Sequence, residues 1–403
     1  MTLDKRALGS GVQEEAQLFV RRMKRAYTQS AIILLNTVVL FVLMSAAWSA
    51  VVVVRNRGRP SSNVTELLNR YGKERLLRGY PGRLEAEVLE MLRETWDEVS
   101  RNGAYEPLTQ FKEAPFRGRY VNVDPAGFRL STPQGPWPPD PANFNIFLFG
   151  GSTAFGYGVS DDETLSSAMQ PLLSSASARP VLTYNFGRGS YFSTQELMLY
   201  YRLLTSGSVP QVAVFVDGLN DFSTPDGEPE YTANLKLLIE EHGWDDRRGG
   251  LRSVLNATRA VDAARWLRDA LGHREEDHGP APYDEAVLAR VRDRWLTNRR
   301  LIEKLSDLFR VRPVFVWQPV PMYRYDYKSY HVLGDLGVEP GASDRGYPLM
   351  ARLRAELERS GDFLWLADMQ QDKRENLYVD ECHYTAAFTK EIAARICGFL
   401  KQR

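Results

Sequence analysis

Five short, mostly apolar runs, each separated from the next by helical patterns, constrain this chain more than any other feature. They fall at residues 145–149, 181–186, 212–216, 314–317 and 363–366 and are rich in β-branched and aromatic side chains. A strand with one wet face alternates apolar and polar residues, whereas a strand covered on both faces need not. Such runs alternating with helices predict a three-layer α/β/α domain built on a five-stranded parallel sheet. Ligands of such sheets gather at the carboxyl ends of the strands, so the residues that follow each run are where chemistry is expected.

The first run ends in Phe149-Gly150-Gly151-Ser152-Thr153. Glycines there let the chain bend sharply as it leaves the strand and keep the serine hydroxyl open to a ligand. Three more blocks follow in chain order: Asn185-Phe186-Gly187-Arg188-Gly189, Gly218-Leu219-Asn220-Asp221 and Asp380-Glu381-Cys382-His383. A serine hydroxyl is a weak nucleophile at neutral pH, so acyl transfer needs a base to take its proton and a third group to orient that base. His383 is the one histidine of five that sits in such a block, and Asp380, three residues earlier, falls on the same side of a turn leading into a helix. Ser152, His383 and Asp380 are therefore the expected catalytic residues. Asn220 follows the third run closely enough to reach over the sheet end, and Asp221 reads as a residue that ties down its loop.

The four ordered blocks resemble the SGNH/GDSL hydrolase family, named for its Ser, Gly, Asn and His in this order, over roughly residues 121–403. The resemblance implies a serine esterase without metal or cofactor. It also implies an oxyanion held by the Ser152 backbone N–H, a backbone N–H of the second block and the Asn220 amide. Two positions depart from the family pattern. Gly-Gly-Ser-Thr replaces Gly-Asp-Ser-Leu, and the family glycine five residues after the second-block asparagine is Ser190 here, the glycine being Gly189. The second donor is therefore Gly189 or Ser190. Ser190, Tyr191 and Tyr323 are candidate substrate contacts, and Gly127-Phe128-Arg129 resembles a stretch that precedes the serine block in membrane-associated members. The expected substrate is an ester-bearing small molecule, glycan or lipid, an acetyl group being the first candidate. Rival readings are an O-acyltransferase on an exported glycan using the same residues, a lipid esterase, and an inactive envelope scaffold module.

Residues 31–54 contain no charge. At about 1.5 Å per residue the run is long enough to cross about 30 Å of hydrocarbon. It predicts a transmembrane helix after a cytoplasmic segment at 1–30, in a single-pass protein of a bacterial inner membrane. The slightly more basic N-terminal flank (Arg21, Arg22, Lys24, Arg25) predicts a periplasmic catalytic domain. Residues 55–120 read as a linker and helical stalk or cap, and 121–403 as the hydrolase domain. Residues 222–312 form an insertion within it, with helical patterns at 231–242, 252–271 and 284–309, read as a lid or a decoration. Lysine plus arginine equals aspartate plus glutamate at 51 each, which leaves no net field for a nucleic acid partner. Cys382 and Cys397 read as packing residues. His273 and His278 lie in a charged run without i,i+4 spacing, which reads as a solvated stretch rather than a metal site.

Overall fold

The computed structural model describes residues 5–57, 62–175, 177–233, 235–236, 284–336 and 343–402. Two compact units make up the chain, Met1–Pro60 with Leu237–Gly279, and Ser61–Lys236 with Pro280–Arg403. In the first, the described element is one long helix, Lys5–Arg57. The expected transmembrane anchor at 31–54 lies within it and is not borne out. Among the described residues no helix is long and apolar enough to cross a membrane. The inner-membrane location and periplasmic orientation inferred from that span fall with it. The expected helices at 252–271 and most of 231–242, with His273 and His278, lie outside the described residues.

In the second unit the strands are β1 (Gly103–Glu106), β2 (Gln110–Glu113), β3 (Phe116–Arg117), β4 (Asn122–Val123), β5 (Phe144–Gly150), β6 (Val181–Asn185), β7 (Val212–Asp217), β8 (Arg312–Trp317) and β9 (Phe363–Trp365). The last five form one parallel sheet in the order β6-β5-β7-β8-β9, as the five apolar runs predict. Because side chains alternate across a strand, each run feeds two cores at once. Phe147, Phe149, Phe215, Phe315 and Trp317 face one side, under helices Ser193–Thr205 and Glu285–Phe309. Ile146, Leu148, Val214, Val314 and Val316 face the other, under helices Leu165–Ser174 and Ala386–Lys401. The first core is aromatic, with Phe149 stacked on Phe215 at 4.8 Å between ring centroids and Phe215 on Phe315 at 5.5 Å. Truncating one of these rings to alanine costs about 3–5 kcal/mol.

The order of the strands decides where the site forms. β5 lies between β6 and β7, and the chain goes first to one side of it (β6, the edge) and then to the other (β7). At such a reversal the loops leaving neighbouring strands part, and a crevice opens at their carboxyl ends. Ser152 follows β5, Gly189 follows β6 and Asn220 follows β7.

Ahead of the sheet stand helices Asn63–Tyr71, Lys73–Arg78 and Glu85–Arg93. The last runs into a π-helical turn, Glu94–Val99, where the sequence pattern suggests one unbroken helix. The β1–β2 hairpin and the small β3–β4 ladder fall in the stretch read as linker and stalk and just beyond it. Strands of two to four residues give too few alternations to read. The compact unit begins at Ser61, so these elements belong to the same body as the sheet.

Candidate active site

At the end of β5 the chain turns through Gly150 and Gly151 into a short helix, Ser152–Phe155. Gly150 has φ +150°, a conformation closed to residues with a Cβ. A Cβ on Gly151 would lie 2.1 Å from Asn220 Nδ2, so the missing side chain lets the Asn220 amide settle beside the serine. The turn is braced from behind. Arg129, fully buried, donates to the carbonyls of Phe155 (3.2 Å) and Val159 (2.6 Å) and pairs with Asp161 at 2.9 Å. Asn185 donates to the Ala154 carbonyl at 3.0 Å. Gln318, just past β8, accepts from Thr153 Oγ1 at 2.6 Å and Tyr384 Oη at 2.9 Å, joining the serine turn to the histidine loop.

That loop is closed by paired backbone bonds, Val379 N–H to His383 C=O (2.8 Å) and Thr385 N–H to Leu377 C=O (2.9 Å). The closure brings Asp380 and His383 onto one side. Ser152 Oγ lies 2.8 Å from His383 Nε2, and His383 Nδ1 lies 2.8 Å from both carboxylate oxygens of Asp380. Asp380 also accepts from the backbone N–H groups of His383 (2.9 Å) and Cys382 (3.1 Å). Burial pushes the Asp380 carboxyl up, but the charge and hydrogen bonds of His383 outweigh it and hold it below its ordinary value. For His383 burial pushes down, and the Asp380 charge outweighs it, carrying the imidazole well above 6.5. With Nδ1 facing a carboxylate, the neutral ring carries its proton there, leaving Nε2 as an acceptor for the serine hydroxyl. Asp380, Cys382 and His383 also offer ligand atoms within 4.8 Å of one another. A metal there would compete for His383 ring nitrogens already turned to Asp380 and Ser152.

The second block corrects one expectation. The Gly189 N–H does not face an open site; it donates to Glu113 Oε1 at 2.7 Å. Ser190 stands at φ +58°, the left-handed conformation a glycine would take freely, and its N–H makes no hydrogen bond among the described residues. Asn220 donates through Nδ2 to the Tyr191 carbonyl at 2.7 Å, which uses one of its two amide hydrogens. Asp221 is buried and accepts from Ser193 Oγ at 2.6 Å, fixing the Asn220 loop as expected.

A cavity of about 270 Å³ opens from Ser152 and His383. Ser190 lines it, whereas two other candidate contacts do not. Tyr191 is buried, its hydroxyl held by Arg188 and the Phe111 carbonyl. Tyr323 packs against Tyr347 and Trp365. Trp96, Phe111, Glu113, Tyr157 and Tyr231 take their place. The Tyr157 ring stacks on His383 at 5.4 Å and the Trp96 edge meets it at 5.6 Å. None of these residues stands in a motif. Of the residues that brace the serine turn, Arg129 had a sequence signal in the Gly-Phe-Arg stretch and Asn185 in the second block.

No family model matches the chain, and no curated protein matches it. The solved structures it resembles include lipases, esterases and acylhydrolases, one of them a putative lipolytic protein of the G-D-S-L family from Desulfitobacterium hafniense (10% identity, 64% of this chain and 99% of that chain, TM-score 0.34). They also include a lipase from a goat rumen metagenome (12% identity, 64% of this chain and 98% of that chain, TM-score 0.38). An esterase from Pseudoalteromonas (11%, 64% and 98%, 0.34) and a lipase/acylhydrolase from Enterococcus faecalis (13%, 64% and 96%, 0.35) are others.

Proposed function

We propose that this chain is an SGNH-type serine esterase that hydrolyses a small acyl ester. The observation that carries the reading is the unbroken contact from Ser152 Oγ through His383 to Asp380, at 2.8 Å on each side of the ring. His383 Nε2 takes the hydroxyl proton as Ser152 Oγ attacks the ester carbonyl, and Asp380 stabilises the imidazolium that forms. The tetrahedral oxyanion is held by the Ser152 N–H, the free second hydrogen of the Asn220 amide and the Ser190 N–H, each donor fixed before reaction. Collapse of the intermediate expels the alcohol, which leaves with the proton from His383. A water molecule then attacks the acyl-serine, again through His383, and releases the acid. Ser190 stands in for Gly189 because the Gly189 N–H is bound to Glu113.

Turnover of nitrophenyl esters of rising chain length by the full-length protein tests this. Activity highest for acetate and absent in Ser152→Ala is expected. Undiminished turnover by Ser152→Ala would end the reading.

A further inference from the structure

Glu113 is a buried charged group of the cavity that the hydrolytic mechanism does not use. It comes from β2, in the hairpin ahead of the sheet, and is buried with its carboxylate on the cavity wall. One oxygen, Oε1, accepts from the Gly189 N–H at 2.7 Å and lies 3.4 Å from the Tyr157 hydroxyl. The other, Oε2, takes no hydrogen bond from another described residue, the carboxylate's one further contact being its own backbone N–H. Burial pushes this carboxyl up, while the Arg188 charge and the Gly189 N–H pull it part of the way back. A carboxylate oxygen without a donor from another residue, on a side chain that lines a cavity, is an unfilled acceptor.

The rest of the wall limits what can fill it. Trp96 and Tyr157 form one edge-to-face pair at 5.1 Å, and Phe111 and Tyr231 form another at 4.8 Å. An alkyl chain would suit these rings but would strip water from Oε2 and give nothing back, which is costly for a carboxylate. A quaternary ammonium would bring charge toward Glu113 and Glu230, which lines the same cavity, but no N–H or O–H to fill the acceptor, and the Lys112 ammonium is turned to Glu106 and the Pro125 carbonyl. A polyol or sugar ring satisfies both, since its C–H faces lie against aromatic rings while its hydroxyls donate at the edge.

Resting on the esterase reading, we infer that Glu113 is a specificity-determining residue that accepts a hydrogen bond from a hydroxyl of the ester substrate. The preferred class is therefore an acylated sugar or similar polyol rather than a fatty or quaternary-ammonium ester. Glu113→Gln keeps an oxygen for the Gly189 N–H and turns the outward acceptor into a donor.

The test compares wild-type, Ser152→Ala and Glu113→Gln full-length protein on three acetate esters: nitrophenyl acetate, a monoacetylated glucose and acetylcholine. For Glu113→Gln, kcat/KM on the sugar ester is expected to fall about 10- to 100-fold, mostly through KM, because a hydrogen bond to a charged partner is lost. The other two esters are expected to change less than about threefold. An equal loss on all three esters, a loss confined to acetylcholine, or a wild-type protein that cleaves nitrophenyl acetate but not the sugar ester would each overturn the assignment. If Glu113→Gln fails to fold, Glu113→Asp, which withdraws the carboxylate by one methylene, is read by the same ratio. Hydrolysis that survives Ser152→Ala would instead sink the esterase reading and leave Glu113 with no ester to select.

Discussion

The two walls of the cavity come from parts of the chain built in different ways. One wall is the carboxyl edge of the sheet, where Ser152, Ser190 and Asn220 sit on turns leaving β5, β6 and β7, each anchored by a strand buried on both faces. The other is the segment ahead of the sheet, where a π-helical turn and a hairpin of two four-residue strands supply Trp96, Phe111 and Glu113. The first wall places atoms that react; the second encloses whatever is bound to them. If that division is right, substitutions on the sheet wall lower kcat. Those on the N-terminal wall change KM and the choice of ester, as Glu113→Gln is designed to show.

The largest effect is expected for Ser152→Ala and His383→Ala, each lowering kcat by about 10⁶ and agreeing within about tenfold, since either removes the activated nucleophile. Single-turnover measurement on nitrophenyl acetate checks this. A His383→Ala enzyme keeping a tenth of wild-type activity would mean that the sheet wall does not work as one unit.

Asp380→Asn comes next, at about 10⁴ in kcat, because the ring survives while its tautomer is no longer fixed. The pH profile sharpens the point. His383 accepts a proton only when neutral, and its folded value lies well above 6.5. The acid limb of kcat/KM is therefore expected above pH 6.5 in the wild type and at lower pH in Asp380→Asn, where burial pushes the ring down and only Cys382 opposes it. Stability runs the other way. A raised histidine contributes stability that is complete below 6.5 and is lost as pH rises through the folded value, so the melting temperature should fall as activity climbs.

Asn220→Ala is expected to cost about 10²–10³ in kcat, or roughly 2.7–4 kcal/mol, with KM nearly unchanged, since the amide is needed mainly where charge develops. A KM effect of the same size would place Asn220 with the enclosing wall instead.

The contrast between the walls also explains what could be read from sequence. The sheet was legible because a strand buried on both faces must be apolar along its length, and that pattern survives without any partner sequence for comparison. Ser152, Asn220, Asp380 and His383 were legible because each follows such a run or precedes a helix at fixed spacing. Glu113, Trp96 and Tyr231 were not, because nothing about an isolated acid or aromatic says which cavity it lines. Gly189 could not be told from Ser190 for a related reason. Its N–H has the expected place in the chain, but its partner is Glu113, far away in sequence and brought close only by the hairpin.

The smallest expected effect is the most exposed to error, because it opposes two terms of similar size. Ser190 holds φ +58°, and a left-handed residue other than glycine costs about 1–2 kcal/mol. Ser190→Gly removes that strain but gives the unfolded chain more freedom, a loss of about 0.4–1 kcal/mol. Relief of strain should win narrowly. The melting temperature is expected to rise by about 1–3 °C, and kcat to stay within about twofold, because the N–H that faces the oxyanion is present in both residues. Ser190→Ala keeps the strain and the N–H and should match wild type in both measurements. If Ser190→Ala lowers kcat as far as Asn220→Ala does, the hydroxyl rather than the N–H acts at this position, and the second donor has to be sought elsewhere on the sheet wall.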